Sequence, residues 1–202
     1  MAKKRVRESD FYNIVWGGPV RPDPDGLVLV RKDTKGFNEY RFNEGKTIKD
    51  WPEGITFFME GKHHEDYLVV GLQWVVVSDK VKKVFEECNA EGVQFLPVNI
   101  IIENTGKDAG PYWAMNVFRA IDALDWVHTV WVYPERIYLD EHPQLNILKE
   151  ALRREPLAGV DAFHLVIGGE FSPPIYISKR VKVCMEQAGA TSGFKFNPVP
   201  VY

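Results

Sequence analysis

The sequence predicts an α+β protein with a mostly antiparallel sheet and two similar helix-strand units packed on it. Three observations lead there. A serine-helix-glycine-strand unit occurs twice, at 77–98 and at 177–199. Apolar segments of strand length outnumber helical ones. No low-complexity linker divides the 202 residues, so a single domain over 1–202 is expected, with a strand-and-turn region at 1–54 leading into the rest.

The first unit runs from Val77-Ser78-Asp79-Lys80-Val81-Lys82 to Gly92-Val93-Gln94-Phe95-Leu96-Pro97-Val98, the second from Ile177-Ser178-Lys179-Arg180-Val181-Lys182 to Gly193-Phe194-Lys195-Phe196-Asn197-Pro198-Val199. Ser78 and Ser178 each precede an apolar series at helical spacing, where a hydroxyl oxygen can accept from an unpaired amide of the first turn. Val81, Val84, Phe85 and Cys88 fall at i, i+3, i+4 and i+7, and Val181, Cys184, Met185 and Ala188 fill the same slots. Gly92 and Gly193 stop the helices, and Val93/Phe95 and Phe194/Phe196 then alternate at period two. Pro97 and Pro198 require a strand that is finishing or at an edge.

Upstream of the repeat, Phe11 to Trp16 reads as a strand, Pro22-Asp23-Pro24-Asp25-Gly26 as a turn, and Leu27 to Val30 as the second arm of an early hairpin or meander. Ile55–Met59 and Tyr67–Val70 are further strands, separated by the polar Gly61 to Asp66. Between the units, Val98–Ile102 extends a strand that turns through Gly106–Pro111 into Tyr112–Val117. Strands are expected at Val130–Tyr133, Arg136–Leu139 and Ala162–Ile167, with a short helix near Leu145–Arg153.

Composition excludes several function classes. The formal charge of -3 is small and the basic residues are dispersed, which argues against nucleic acid as a partner. The longest apolar stretches are strand length, far short of a membrane span. Lys3-Lys4-Arg5 is not followed by the apolar run of a secretory signal, so a cytoplasmic location is expected. Cys88 and Cys184 then read as small apolar residues on buried helix faces. A bridge between them is open to the chain if the two helices pack together, but the cytoplasmic setting argues against it.

In their order, the Ser78 helix, Gly92 to Val98, the Tyr112-Trp113 hairpin, Ile121-Asp122-Ala123-Leu124-Asp125, Phe163-His164-Leu165 and the Ser178 unit resemble an immunity-protein family of bacterial polymorphic toxin systems. The resemblance covers 55–202. Where the family often carries a serine shortly after the acidic pair, this chain has Trp126-Val127-His128-Thr129. The resemblance implies a non-enzymatic protein that binds and neutralises a cognate protein toxin, commonly encoded beside it. It implies no catalytic residues and no cofactor.

The remaining candidates for chemistry are few. His63-His64-Glu65-Asp66 is the most enzyme-like cluster, because imidazole and carboxylate together can hold a metal or relay protons. Its spacing fits a solvated turn better, since adjacent histidines on a strand face opposite ways. His128, His142 and His164 are isolated in sequence, and no phosphate-binding loop or nucleophile elbow occurs. Asp122 and Asp125 read first as turn-closing residues. Beside Trp126 they also form a carboxylate pair rimming an aromatic anchor, which makes Asp122, Asp125 and Trp126 the candidate partner-binding residues. The alternatives are a small metal-dependent hydrolase using His63, His64, Glu65 and the two aspartates, and an interaction module without a toxin.

Overall fold

A computed structural model describes residues 9–17, 28–60, 65–70, 74–132 and 147–202. In chain order the first half holds β1 (Phe11–Trp16), β2 (Val28–Asp33), a 3-10 turn (Glu39–Asn43), β3 (Thr56–Glu60), β4 (Tyr67–Val70), β5 (Trp74–Ser78), α1 (Asp79–Glu87) and β6 (Val93–Ile102). The second half holds β7 (Lys107–Asp108), β8 (Tyr112–Val117), β9 (Ala120–Ile121), β10 (Val130–Trp131), β11 (Ile147–Lys149), a 3-10 turn (Glu155–Leu157), β12 (Ala162–Ile167), β13 (Glu170–Ser178), α2 (Lys179–Gln187) and β14 (Phe194–Val199). The strands form one sheet in the order β2-β3-β6-β8-β5-β4, with β7 on β6, a second in the order β14-β1-β13-β12-β9, and a ribbon β10-β11. Pairing is antiparallel except at β3–β6 and β9–β12.

The repeated unit is larger than its sequence match. In the first copy the hairpin β4–β5 leads into α1, and β8 lies between β5 and β6. In the second the hairpin β12–β13 leads into α2, and β1 lies between β13 and β14. The registers coincide: Tyr112 lies opposite both Ser78 and Val98, while Phe11 lies opposite both Ser178 and Val199. The third strand therefore follows β6 in one copy and comes from the N-terminal region in the other.

Local chemistry repeats with the topology. Ser78 accepts from the Val81 amide at 3.4 Å, and Ser178 from that of Val181 at 3.3 Å. Each serine hydroxyl donates to an aspartate that precedes the hairpin, Ser78 to Asp66 at 2.7 Å and Ser178 to Asp161 at 3.0 Å. Lys82 sits over the Trp113 ring at 4.5 Å and Lys182 over Tyr12 at 5.0 Å. Lys80 reaches the carbonyl of Gly189 beyond the end of α2, and Arg180 that of Cys88 at the end of α1. Two antiparallel helices thus meet about an approximate twofold, with a cation on the exposed carbonyls of each helix end.

The helices stop at Asn89 and Gly189, left-handed residues directly after the C-caps, where the amides of Ala90 and Ala190 bond back to the carbonyls of Phe85 and Met185. The expected stops Gly92 and Gly193 therefore have another role. Both have positive φ, +88° and +77°, and a Cβ on Gly193 would lie 2.5 Å from the Tyr67 carbonyl oxygen. One on Gly92 would lie 2.8 Å from the Ala162 carbonyl oxygen. Each glycine thus seats one copy on the first strand of the other.

Three apolar clusters follow from the period of two. Val77 and Met115 join Val81, Val181, Ile175 and Ile177 between the helices and the sheets. Trp74 and Val76 face the other way, into a cluster closed by Phe37, Phe42 and Ile48. Tyr176 and Phe163 face a third cluster, closed by Leu124, Trp131 and Leu152. Each sheet therefore has a copy of the helix on one face and its own covering layer on the other.

Several expectations are corrected. β1 and β2 form no hairpin, because β1 fills the second sheet while β2 pairs with β3. The expected helix near 145–153 is strand β11 at Ile147–Lys149, followed by Leu152, which bridges Leu124 and Val201. Pro97 lies mid-strand but at a local edge, the second of its two expected settings. β6 pairs with β8 up to Val98 and with β3 only from Asn99, so Pro97 faces no ladder acceptor on its open side. Pro173 and Pro174 sit where the β12–β13 register shifts, between the pairs His164–Ile175 and Leu165–Ser172. Cys88 and Cys184 are joined in a disulfide, with Cα atoms 7.0 Å apart, because the antiparallel crossing sets the end of α1 against the middle of α2. The turn at 22–26 and the strand at 136–139 lie outside the described residues. No helix among the described residues is long and apolar enough to cross a membrane.

Candidate functional site

The covering layer of the second sheet carries the candidate site. After β9, Ala123 and Leu124 are fully buried, and the Asp125 amide donates to the Ala151 carbonyl at 2.8 Å. The chain then turns sharply about the Asp125 side chain. One carboxylate oxygen accepts from the amides of Val127 and His128, both at 3.0 Å, and the other meets His128 Nδ1 at 2.8 Å. Burial pulls this carboxyl's pKa upward, but those three hydrogen bonds together outweigh it and hold the group below its ordinary range. The Asp125 carbonyl accepts from Thr129, whose hydroxyl accepts from the Ala151 amide at 3.2 Å.

A turn closed that tightly turns the two residues at its apex outward. Trp126 is exposed and stacks on Trp131 with centroids 5.1 Å apart, and Val127 is 85% exposed. Along β10 and the residue after it, Val130 points out, Trp131 in and Val132 out, while Leu148 on β11 is 70% exposed. His128 stacks on Tyr202 at 3.8 Å, and the Tyr202 backbone is held by Leu152 and Arg154. Of the eight large exposed hydrophobic residues among those described, six lie here: Trp126, Val127, Val130, Val132, Leu148 and Tyr202. The other two, Trp16 and Tyr40, belong to other elements, so this is where apolar surface concentrates.

The three sequence candidates thus sit together but differ in posture. Trp126 faces solvent. Asp122 is exposed at the border of the patch, its carboxylate 2.9 Å from Arg153, which also donates to the Asp122 carbonyl at 2.6 Å. Asp125 is buried and its carboxylate faces its own turn. Sequence reading missed Val127, Val130, Val132, Leu148 and Tyr202. The signal was the apolar density of Trp126-Val127 and Val130-Trp131-Val132, which no single period explains; a helical reading of 145–153 hid Leu148.

Elsewhere the candidate chemistry resolves into scaffold. His63 and His64 lie outside the described residues. Asp66, next to them in sequence, is buried and ties Ser78 to Ser192, accepting from the Ser192 hydroxyl at 2.8 Å and amide at 3.1 Å. His164 is buried on β12 with Nδ1 3.0 Å from the Pro174 carbonyl; burial brings its pKa down to about 4, so the ring stays neutral at physiological pH. Among the described residues no group of three or more His, Cys, Asp and Glu side chains could hold a metal ion. A shallow pocket of about 250 Å³ beside α1 is lined by Lys82, Glu86, Asn89 and apolar side chains, and its lysine and glutamate pair with each other at 2.8 Å.

The family model of an immunity protein family, Imm11, matches residues 22–201. The chain belongs to that family. The Imm11 region begins well before residue 55, where the resemblance in the sequence began, and so also takes in β2 and the 3-10 turn that covers the first sheet. No curated protein matches the chain.

Proposed function

We propose that this Imm11 protein is a non-enzymatic immunity protein that binds a cognate protein toxin encoded nearby and neutralises it in the cytoplasm as a one-to-one complex. The observation that carries the reading is the concentration of exposed apolar side chains on the turn and ribbon of the second covering layer. Trp126 is its anchor: a large ring already stacked on Trp131 loses little conformational freedom when a partner covers it. Asp122 stands at the rim, where a charge tunes encounter and specificity more than affinity. Asp125 serves from inside, by holding the turn that presents Trp126 and Val127.

Co-expression with the product of each neighbouring toxin-like gene tests this. One of them is expected to co-purify in equimolar amounts and to be non-toxic in the presence of the wild-type chain. Trp126→Ala should weaken that complex by about 2 kcal/mol, and Leu148→Asp should abolish protection while thermal stability stays close to wild type. If no neighbouring product binds, the immunity reading fails. If one binds and both variants protect fully, the assigned surface fails.

A further inference from the structure

Cys88 and Cys184 are the only cysteines of the chain, and they meet at the one place where the two copies of the repeat face each other through their helices. They are not symmetry mates. The slot of Cys184 is held by Val84 in the first copy, and that of Cys88 by Ala188 in the second. The bond is therefore a feature added to the repeat, not a consequence of it. Both residues are only partly buried, so a small thiol can reach the sulfurs. A cation is already there: Arg180 lies one helical turn before Cys184 and donates to the Cys88 carbonyl, while its other side meets Asp161. The thiolate is the form that attacks a disulfide.

We propose that Cys88 and Cys184 form a reversible redox staple that locks the two copies of the repeat together across the approximate twofold. Closing it takes a low-molecular-weight disulfide as oxidant. One cysteine thiolate attacks that disulfide, forms a mixed disulfide and releases one small thiol. The second cysteine then attacks the mixed disulfide and releases the other. Two cysteine thiols become one disulfide, and the two electrons and two protons leave with two small thiols. A dithiol reductant runs the sequence backwards. The closed bond joins positions 96 residues apart, a loop long enough for the loss of unfolded-state freedom to be large. The reduced chain keeps its fold, because the buried residues of the apolar cluster between the helices and sheets include neither cysteine, and both only pack against it from its border.

Wild-type protein equilibrated under native conditions in glutathione buffers of graded ratio, then alkylated and weighed, reads the bond directly. Unfolding temperature at each ratio reads its effect. Oxidised protein is expected to take no label, reduced protein two, and reduction should lower the unfolding temperature by roughly 10 °C, recovered on reoxidation. Cys88→Ser and Cys184→Ser should each unfold at the temperature of the reduced wild type, whatever the reductant. Two labels on native protein held in oxidised glutathione, or an unfolding temperature indifferent to reductant, would overturn the proposal. Neither outcome bears on partner binding.

Discussion

The two covering layers do opposite things with similar material. Over the first sheet, Phe37, Phe42 and Trp51 pack edge to face around Trp74, with centroids 4.8 to 6.2 Å apart, and Gln94 fixes the layer by exchanging hydrogen bonds with both the amide and the carbonyl of Ile48. Its aromatic rings point inward, Tyr40 excepted. Over the second sheet, Leu124, Trp131 and Leu152 seal the core, and Trp126, Val127, Val130, Val132 and Leu148 are left outside. The helices and strands beneath are two copies of one unit. Their scaffolding is shared, so the copies differ most in what covers the far face of each.

The shared part should break most easily where the copies hold each other. Gly193→Ala puts a side chain on a backbone at φ +77° and against a carbonyl that belongs to the other copy, so a loss of about 4 kcal/mol is expected in denaturant unfolding. Gly92→Ala, with a slightly longer approach, should cost about 3 kcal/mol by the same measurement. Gly189 also has positive φ but faces only the end of the Lys80 side chain, so its alanine variant should lose about 1 kcal/mol. Equal costs at all three positions would mean that backbone conformation, not contact between copies, sets the penalty.

The layers themselves separate next. Phe42→Ala opens a void beside Phe37, Trp51 and Trp74 and should cost about 3 kcal/mol of stability. Trp126→Ala, made on the other layer, should change stability by less than about 1 kcal/mol. Thermal denaturation of the pair decides whether one layer is core and the other surface.

Much of this frame was legible in the sequence, and the rest was hidden for definite reasons. Ser78 and Ser178 announced both helix starts because caps act within a few residues, while the stops fall at Asn89 and Gly189, before the glycines expected to supply them. The upstream half of each unit escaped notice because the two hairpins differ in length, which breaks the spacing between Asp66 and Ser78 on one side and Asp161 and Ser178 on the other. The third strand escaped because β8 and β1 occupy equivalent places from opposite sides of their units, and pairing at such sequence distance leaves no local pattern. A faint trace exists: Phe11-Tyr12 and Tyr112-Trp113 are both aromatic pairs that open their strands. At the site, Trp126 could be picked out as an aromatic beside carboxylates, but the inward posture of Asp125 depends on where the chain turns.

A last difference distinguishes the copies by pH. His164 on β12 stands where β4 has Val69, since each is the third residue after the aspartate that meets the capping serine. Its folded pKa of about 4 lies below the unfolded value near 6.5, so between those values the unfolded chain binds more protons. Stability is then undiminished by His164 above about pH 6.5 and falls as the pH drops, by at most about 3 kcal/mol near pH 4 and by about 2 kcal/mol at pH 5. Carboxylates titrate in the same range, so the wild-type curve alone cannot assign the slope. His164→Val, which writes the first copy's residue into the second, leaves the Pro174 carbonyl without the ring and should cost about 1 kcal/mol at pH 7. It should also flatten the stability curve between pH 6.5 and 4.5 relative to wild type. Parallel curves would show that His164 keeps its proton equilibrium unchanged on folding, and that burial on β12 does not separate the two copies in this respect.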